Sequence, residues 1–252
     1  MSGHSKWSTI KRKKGAADAK RGKIFTKLIR EIATAARLFG GEVDANPRLR
    51  LAIEKARASN MPKDNIERAI KKGLGSTEGE SYEEVVYEGY GPGGTAIYVE
   101  VLTDNKNRTV GEVRHVLSRF GGNLGASGCV SYLFEKRGLL SFEAEGLDTD
   151  ALLEAALESG AEDAIESETQ VDVLTTPGDL ETVKAALMER GFVPGQAELS
   201  FQPTTTVKLE GSEAETMLRI ADALEDLDDV QNVHANFDIS DAEMARLAEL
   251  GA

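Results

Sequence analysis

Residues 84–102 read EVVYEGYGPGGTAIYVEVL. Apolar and aromatic residues crowd both ends of this stretch, and Gly91-Pro92-Gly93-Gly94 sits between them. The pattern predicts two strands, Glu84–Tyr90 and Thr95–Leu102, joined by a turn. Upstream of this hairpin the apolar period is that of a helix, whereas downstream strands and helices alternate. The hairpin therefore separates a helical N-terminal part from an α/β remainder, and the fold class is α+β.

Working outward toward the N-terminus, Ala16 to Phe39 carries Phe25, Leu28, Ile29, Ile32, Ala36 and Phe39 at three- and four-residue steps. At the helical spacing these share an arc of about 100°. Lys20, Lys23, Lys27, Arg30 and Arg37 fill a similar arc nearly opposite, and Arg21 is a further candidate contact. One face packs and the other presents positive charge. Gly40-Gly41 ends this helix. A second helix begins at Asn46-Pro47 and buries Leu49, Ala52, Ile53 and Ala56. A third opens at Pro62, turns Ile66, Ala69 and Ile70 inward and closes on Lys71-Lys72-Gly73. Three short amphipathic helices make a bundle, and nothing in their pattern selects a helix-turn-helix over a plain one.

Gly75-Ser76-Thr77-Glu78-Gly79-Glu80 is polar and reads as a linker, with Gly73, Gly75 and Gly79 making the connection permissive. Beyond the hairpin, Arg108–Phe120 reads as a helix, Gly121-Gly122 as its end, and Cys129–Phe134 as a strand. Then come a strand at LLSFE (139–143), a helix Thr149–Ser159, strands DAIES (163–167) and VDVLTT (171–176), a helix Leu180–Arg190 and a strand Glu198–Gln202. That βαββαβ order is a ferredoxin-like unit. A strand near Thr205–Leu209, a helix Glu213–Leu227 and a strand Val230–Phe237 complete the pattern that the hairpin began. The expected architecture is a three-helix bundle and two ferredoxin-like domains, the last inserted into the middle one. Its boundaries are 1–78, 79–135 with 204–240, and 136–203.

Charge is segregated along the chain. Residues 1–75 hold 19 Lys+Arg against 7 Asp+Glu, leaving 11 against 36 in the other 177 residues. A basic module on an acidic body points to a polyanionic partner, DNA or RNA, with a basic ribosomal or transcription-machinery protein as a partner for the body. Lys6, Lys11, Arg12, Lys13 and Lys14 read as a flexible basic arm, and Trp7 within it can stack on a base or anchor the arm. A 40% hydrophobic content excludes wholesale disorder. No apolar run approaches the ~18 residues of a membrane span, and no apolar stretch follows the basic start as in a secretory signal. One cysteine and three scattered histidines (His4, His115, His234) give no ligand spacing, so the expectation is a cytoplasmic protein without metal or cofactor.

The loop motifs are weak signals. YGPGG (90–94) has neither the spacing nor the Lys-Ser/Thr of a phosphate loop and reads as a strand connection, with Tyr87 and Tyr90 beside it as secondary base-stacking candidates. Asp104-Asn105 reads as a cap for the following helix. GGNLGASG (121–128) reads as a turn and loop, and Cys129 as a small buried hydrophobe. Glu225, Asp226, Asp228 and Asp229 lack the alternation of a calcium loop and read as a solvated helix end. No nucleophile–base set can be assembled, so the chain is not read as an enzyme.

Several collinear blocks resemble the YebC/PmpR family. GHSKW (3–7) and DAKRGKIFTKLIREI (18–32) are similar to its N-terminal signature, NPRLRLAIEKA (46–56) and NMPKDNIERAIKKG (60–73) to its next helical blocks. YEGYGPGG (87–94), LTDNKNRT (102–109) and GGNLGASGCV (121–130) resemble its central blocks. The resemblance implies a three-domain cytoplasmic protein with a helical bundle and two α/β domains. It also implies a transcriptional regulator that binds DNA, or a ribosome- or RNA-associated translation factor that relieves stalled synthesis, as the mitochondrial relatives are translational activators. Both readings use the basic module, so charge alone leaves them open.

Overall fold

The structure, a computed structural model, describes residues 18–75, 82–167 and 169–250. The arm residues Lys6, Trp7, Lys11, Arg12, Lys13 and Lys14 and residues 76–80 of the expected linker lie outside them. Three helices come first: α1 (Asp18–Phe39), α2 (Pro47–Ala58) and α3 (Lys63–Leu74). Ile32, Ala35, Ala36, Leu49, Ile53, Ala56, Ile66 and Ala69 form their common core. The apolar stripe of α1 ends at Ala36, because Phe39 beyond it is 63% exposed. Buried Asn46 ties two helix ends together. Its Oδ1 accepts from the Leu49 N–H at 3.0 Å, and its Nδ2 donates to the Ala35 and Gly40 carbonyls at 3.0 and 2.8 Å. One side chain thus satisfies orphan groups at the end of α1 and the start of α2.

The predicted hairpin forms as β1 (Glu83–Tyr90) and β2 (Ala96–Thr103), antiparallel, with Tyr90 opposite Ala96. Gly93 and Gly94 between them have positive φ, 63° and 77°, which explains two glycines in so tight a turn. There follow α4 (Lys106–Arg119), β3 (Asn123–Leu124), β4 (Phe134–Glu143), α5 (Thr149–Glu158), β5 (Asp163–Glu166), β6 (Gln170–Thr175), α6 (Leu180–Glu189) and β7 (Gln196–Pro203). The chain continues through β8 (Val207–Lys208), α7 (Gly211–Glu225), β9 (Val230–Ala235), β10 (Phe237–Asp238) and α8 (Asp241–Leu250). The molecule is therefore α+β, a helical N-terminal part followed by antiparallel sheets.

One sheet has the order β3-β1-β2-β9 and the other β5-β6-β4-β7, while β8 and β10 make a short parallel pair. In the second sheet the chain order is βαββαβ, as the periodicity predicts. The first departs from that order: its hairpin strands are consecutive, giving ββαβ and then, after β4–β7, αβ. The five-residue connection at 91–95 leaves no room for the helix that a ferredoxin-like order requires between them. β9 pairs with β2 although β4–β7 intervenes in sequence. Ile97, Val99 and Val101 pack on Val113 and Leu117 of α4 and on Met217 and Leu218 of α7. The second sheet buries Leu140, Phe142, Val171 and Val173 against Leu152 of α5 and Val183 and Leu187 of α6. Aromatic contacts join the sheets, with Tyr98 of β2 centred 5.7 Å from Phe134 and 4.7 Å from Phe201. His234 belongs to this junction, 5.5 Å from the Phe201 ring and 2.9 Å from Glu100.

Two further sequence expectations change. Cys129–Phe134 is not a strand; Ser131–Leu133 forms a single 3₁₀ turn and β4 starts at Phe134. The reason is Glu88, 5% exposed, whose carboxylate accepts the N–H groups of Gly128, Val130 and Ser131 at 2.7, 2.7 and 2.8 Å. Those donors converge on one side chain and are unavailable to a ladder. Gly73 is likewise no part of a permissive connection, because it lies in α3 against α1. A Cβ there would sit 2.9 Å from Ala36 Cβ and closer still to the Ala33 carbonyl oxygen.

Gly73→Ala gains about 1 kcal/mol of helix propensity but overpacks a helix–helix contact at a cost of roughly 1–3 kcal/mol or more. The expected net effect is destabilisation, seen as a lower urea midpoint for the helical circular dichroism signal. A raised midpoint would show that α1 and α3 separate without cost.

Candidate nucleic-acid interface

Lys23, Lys27 and Arg30 are spaced i, i+4 and i+7, which places them on one face of α1. That face meets the C-terminal end of α7 and the loop leading to β9. Lys23 Nζ donates to the Asp226 carbonyl at 3.0 Å and lies 3.9 Å from its carboxylate. Lys27 Nζ donates to the Glu225 carbonyl, and Arg30 donates to the Asp228 carbonyl at 2.7 Å and to Asp229 Oδ1 at 2.6 Å. The last carbonyls of a helix have no intrahelical donor and carry the negative end of its dipole, so cations are doubly favoured there. Farther along, Arg37 donates to the Tyr82 carbonyl, and the Arg30 guanidinium sits 5.3 Å from the Tyr82 ring centre.

Asp229 is the inner anchor of this seam, its side chain 3% exposed. Beyond Arg30, its Oδ2 accepts from Thr103 at 3.0 Å, Thr109 at 2.6 Å and Arg108 at 2.6 Å. Thr103 ends β2 and Thr109 and Arg108 stand in the first turn of α4, so one carboxylate gathers β2, α4, β9 and α1. Asn105 caps α4 as expected, accepting the Arg108 N–H at 3.1 Å. The 225–229 run is thus not a solvated helix end; Asp226 and Asp228 are exposed, but Asp229 is buried and fully occupied. Further ion pairs hold the bundle to both sheets. Arg48 bridges Glu31 and Glu84, Lys55 pairs with Glu198, and Lys184 with Glu54 at 2.6 Å.

Two family models cover the chain: the TACO1/YebC protein N-terminal domain over residues 5–76, and the TACO1/YebC second and third domain over 82–237. The chain belongs to the TACO1/YebC family. Relatives in Geobacter sp. (strain M21) and Geobacter sulfurreducens, each named "Probable transcriptional regulatory protein", are 60% and 59% identical over 247 residues, covering 98% of this chain and 100% of theirs. A crystal structure of a conserved hypothetical protein from Aquifex aeolicus superposes with a TM-score of 0.83 at 52% identity, covering 89% of this chain and 93% of that one.

In this TACO1/YebC chain the sequence candidates fall into three groups. Lys23, Lys27, Arg30 and Arg37 are brought together along one helix and face the acidic body. Lys20 and Arg21 lie in the first turn of α1, their side chains outside the described set. Tyr87 and Tyr90 spend their hydroxyls internally, donating to the Lys106 carbonyl at 3.2 Å and the Cys129 carbonyl at 2.9 Å. Asp229 was missed by sequence reasoning. The signal available was charge complementarity between 225–229 and α1, legible only once the fold brings the two together.

Burial alone would push the Asp229 carboxyl up, but hydrogen bonds from Thr109, Arg108, Arg30 and Thr103 outweigh it and hold the group below its ordinary range. The depressed value fixes the sign. The stabilisation is complete above the unfolded value of about 3.9 and is lost as pH falls below it through the folded one. Asp229→Asn should cost about 1.5–3 kcal/mol near neutral pH, the range for hydrogen bonds to a charged group. The gap between parent and variant should narrow below pH ~4, where the parent's carboxylate protonates. Urea denaturation across pH 3–7 checks both points.

Proposed function

We propose that the chain is a DNA-binding transcriptional regulatory protein whose phosphate contacts come from its basic N-terminal region. The observation that carries this is the segregation of charge, 19 Lys+Arg against 7 Asp+Glu in residues 1–75 and the reverse imbalance beyond. The names of the Geobacter relatives support the same reading. The arm cations of residues 6–14 with Trp7 and the cations of α1 are the assigned contacts, and Tyr87 and Tyr90 are secondary ones. In this reading the chain has three domains, 1–78, 79–135 with 204–240, and an inserted ferredoxin-like unit at 136–203. It acts in the cytoplasm by binding rather than by catalysis, and takes no cofactor.

Arm and helix contribute separately to the salt dependence. Neutralising one cation that touches a duplex phosphate lowers the slope of log affinity against log salt by ~0.9. Replacing Lys11, Arg12, Lys13 and Lys14 with Gln in the full chain should therefore flatten the slope by about 2 or more if at least half of them touch phosphate. An unchanged slope and affinity would remove the arm from the interface. Crosslinking in cells with sequencing of the attached nucleic acid tests the target: promoter DNA supports the regulator reading, and enrichment of ribosomal or transfer RNA replaces it with a translational one.

A further inference from the structure

We propose that the acidic loop 225–229 is a built-in competitor for the polyanion, holding the basic face of α1 closed until phosphate oxygens displace it. The proposal rests on the nucleic-acid reading above and adds regulation to that site. The loop offers α1 what a phosphate backbone offers, a succession of anionic or strongly accepting oxygens along one helix face. The carbonyls of Glu225, Asp226 and Asp228 and the Asp229 carboxylate meet Lys27, Lys23 and Arg30 in turn. In the seam Arg30 is covered, its side chain 15% exposed, and the loop oxygens compensate the charges of Lys23 and Lys27, so full phosphate contact by all three requires the bundle to leave the loop.

The seam is built to exchange partners. Its outer pair, Lys23 and Asp226, has side chains 45% and 61% exposed, so water and salt screen it. Its inner anchor keeps its other donors when Arg30 departs, because Arg108, Thr103 and Thr109 belong to the body. Asp229 is therefore never left as a buried, unpaired charge, which is the usual obstacle to opening a buried ion pair. The ties named above, Arg48 to Glu84, Lys55 to Glu198 and Lys184 to Glu54, are also ionic and weaken in the same way, which leaves the half-buried Leu51 as the apolar contact to be given up at the second core. The aromatic contacts between the two sheets involve no cation of α1, so the body holds together while the bundle swings away.

The test uses the full-length chain and a fluorescently labelled DNA duplex. Asp226→Lys with Asp228→Lys, which sets like charge against Lys23 and Arg30 where the backbone acceptors remain, and separately Asp229→Asn, should bind the duplex at least about fivefold more tightly than the parent, the lower end of coupling between linked equilibria. Asp150→Lys with Glu154→Lys on α5 makes the same charge change as the double variant far from the seam and should gain less than about twofold, the effect of net charge alone. The Asp226/Asp228 variant touches only exposed carboxylates and keeps the test decisive if Asp229→Asn fails to fold by circular dichroism. Energy transfer between dyes at Arg57→Cys and Ser212→Cys, in a Cys129→Ser background, should report a longer distance when duplex is added and in the seam variants without it. If the parent binds duplex but the seam variants gain no more than the α5 control and the dye distance stays fixed, the competitor proposal is overturned and the nucleic-acid reading stands. If no chain binds duplex even when the dyes report an open seam, the nucleic-acid reading fails and the proposal fails with it.

Discussion

The Asp229 carboxylate sets how the parts of this molecule meet. It lies at the start of β9, the strand that returns to complete the first sheet after the whole second sheet has been made. Its four partners come from the end of β2, the first turn of α4 and the middle of α1. A buried carboxylate without such donors would cost several kcal/mol, so the groups around it are fixed together or not at all. The two threonines and Arg108 lie close in sequence and fix the local corner. Arg30 lies 199 residues away and fixes the bundle.

Two kinds of interface follow from the residues available. The sheets meet through Tyr98, Phe134, Phe201 and His234, where large rings bury area in a fixed geometry. The bundle meets the sheets largely through charge: Ile32, Leu49, Ile53 and Ile66 pack on one another, and Leu51 is an apolar contact of the bundle with the second sheet's core. Ionic docking is weaker for its area and sensitive to salt, which suits the exchange of partners proposed above.

The sequence made the helical part legible because three separate stripes repeat at the helical period and Asn46-Pro47 marks a boundary that the structure confirms atom by atom. The βαββαβ order of the second sheet was legible for a similar reason, since its strands are short, apolar and separated by amphipathic helices. The strand at 129–134 was misread because apolar composition cannot reveal that Glu88, some forty residues earlier, captures the local N–H groups. Helix α8 went unread, although Met244 and Leu247 are buried in the first core. The basic stripe of α1 was read correctly as a surface opposite the packed one. What faces that surface is a tertiary fact, and no periodicity encodes it.

Charge segregation and the seam are two aspects of one design problem. A body with 36 acidic and 11 basic residues repels a polyanion, and a basic end attracts one, so the molecule approaches with its N-terminal region leading. Such a chain also carries its own polyanion within reach of its own cations. Unless the body's acidic groups are placed elsewhere, some will neutralise the basic helix in the absence of a partner. Here they do so at the end of α7, where the helix dipole and the last carbonyls add to the attraction. The intramolecular contact has a high effective concentration but only a handful of oxygens. In the proposed competition a nucleic acid, with a long array of them and counterions to release, displaces the loop through number and entropy rather than through a better fit at any one cation.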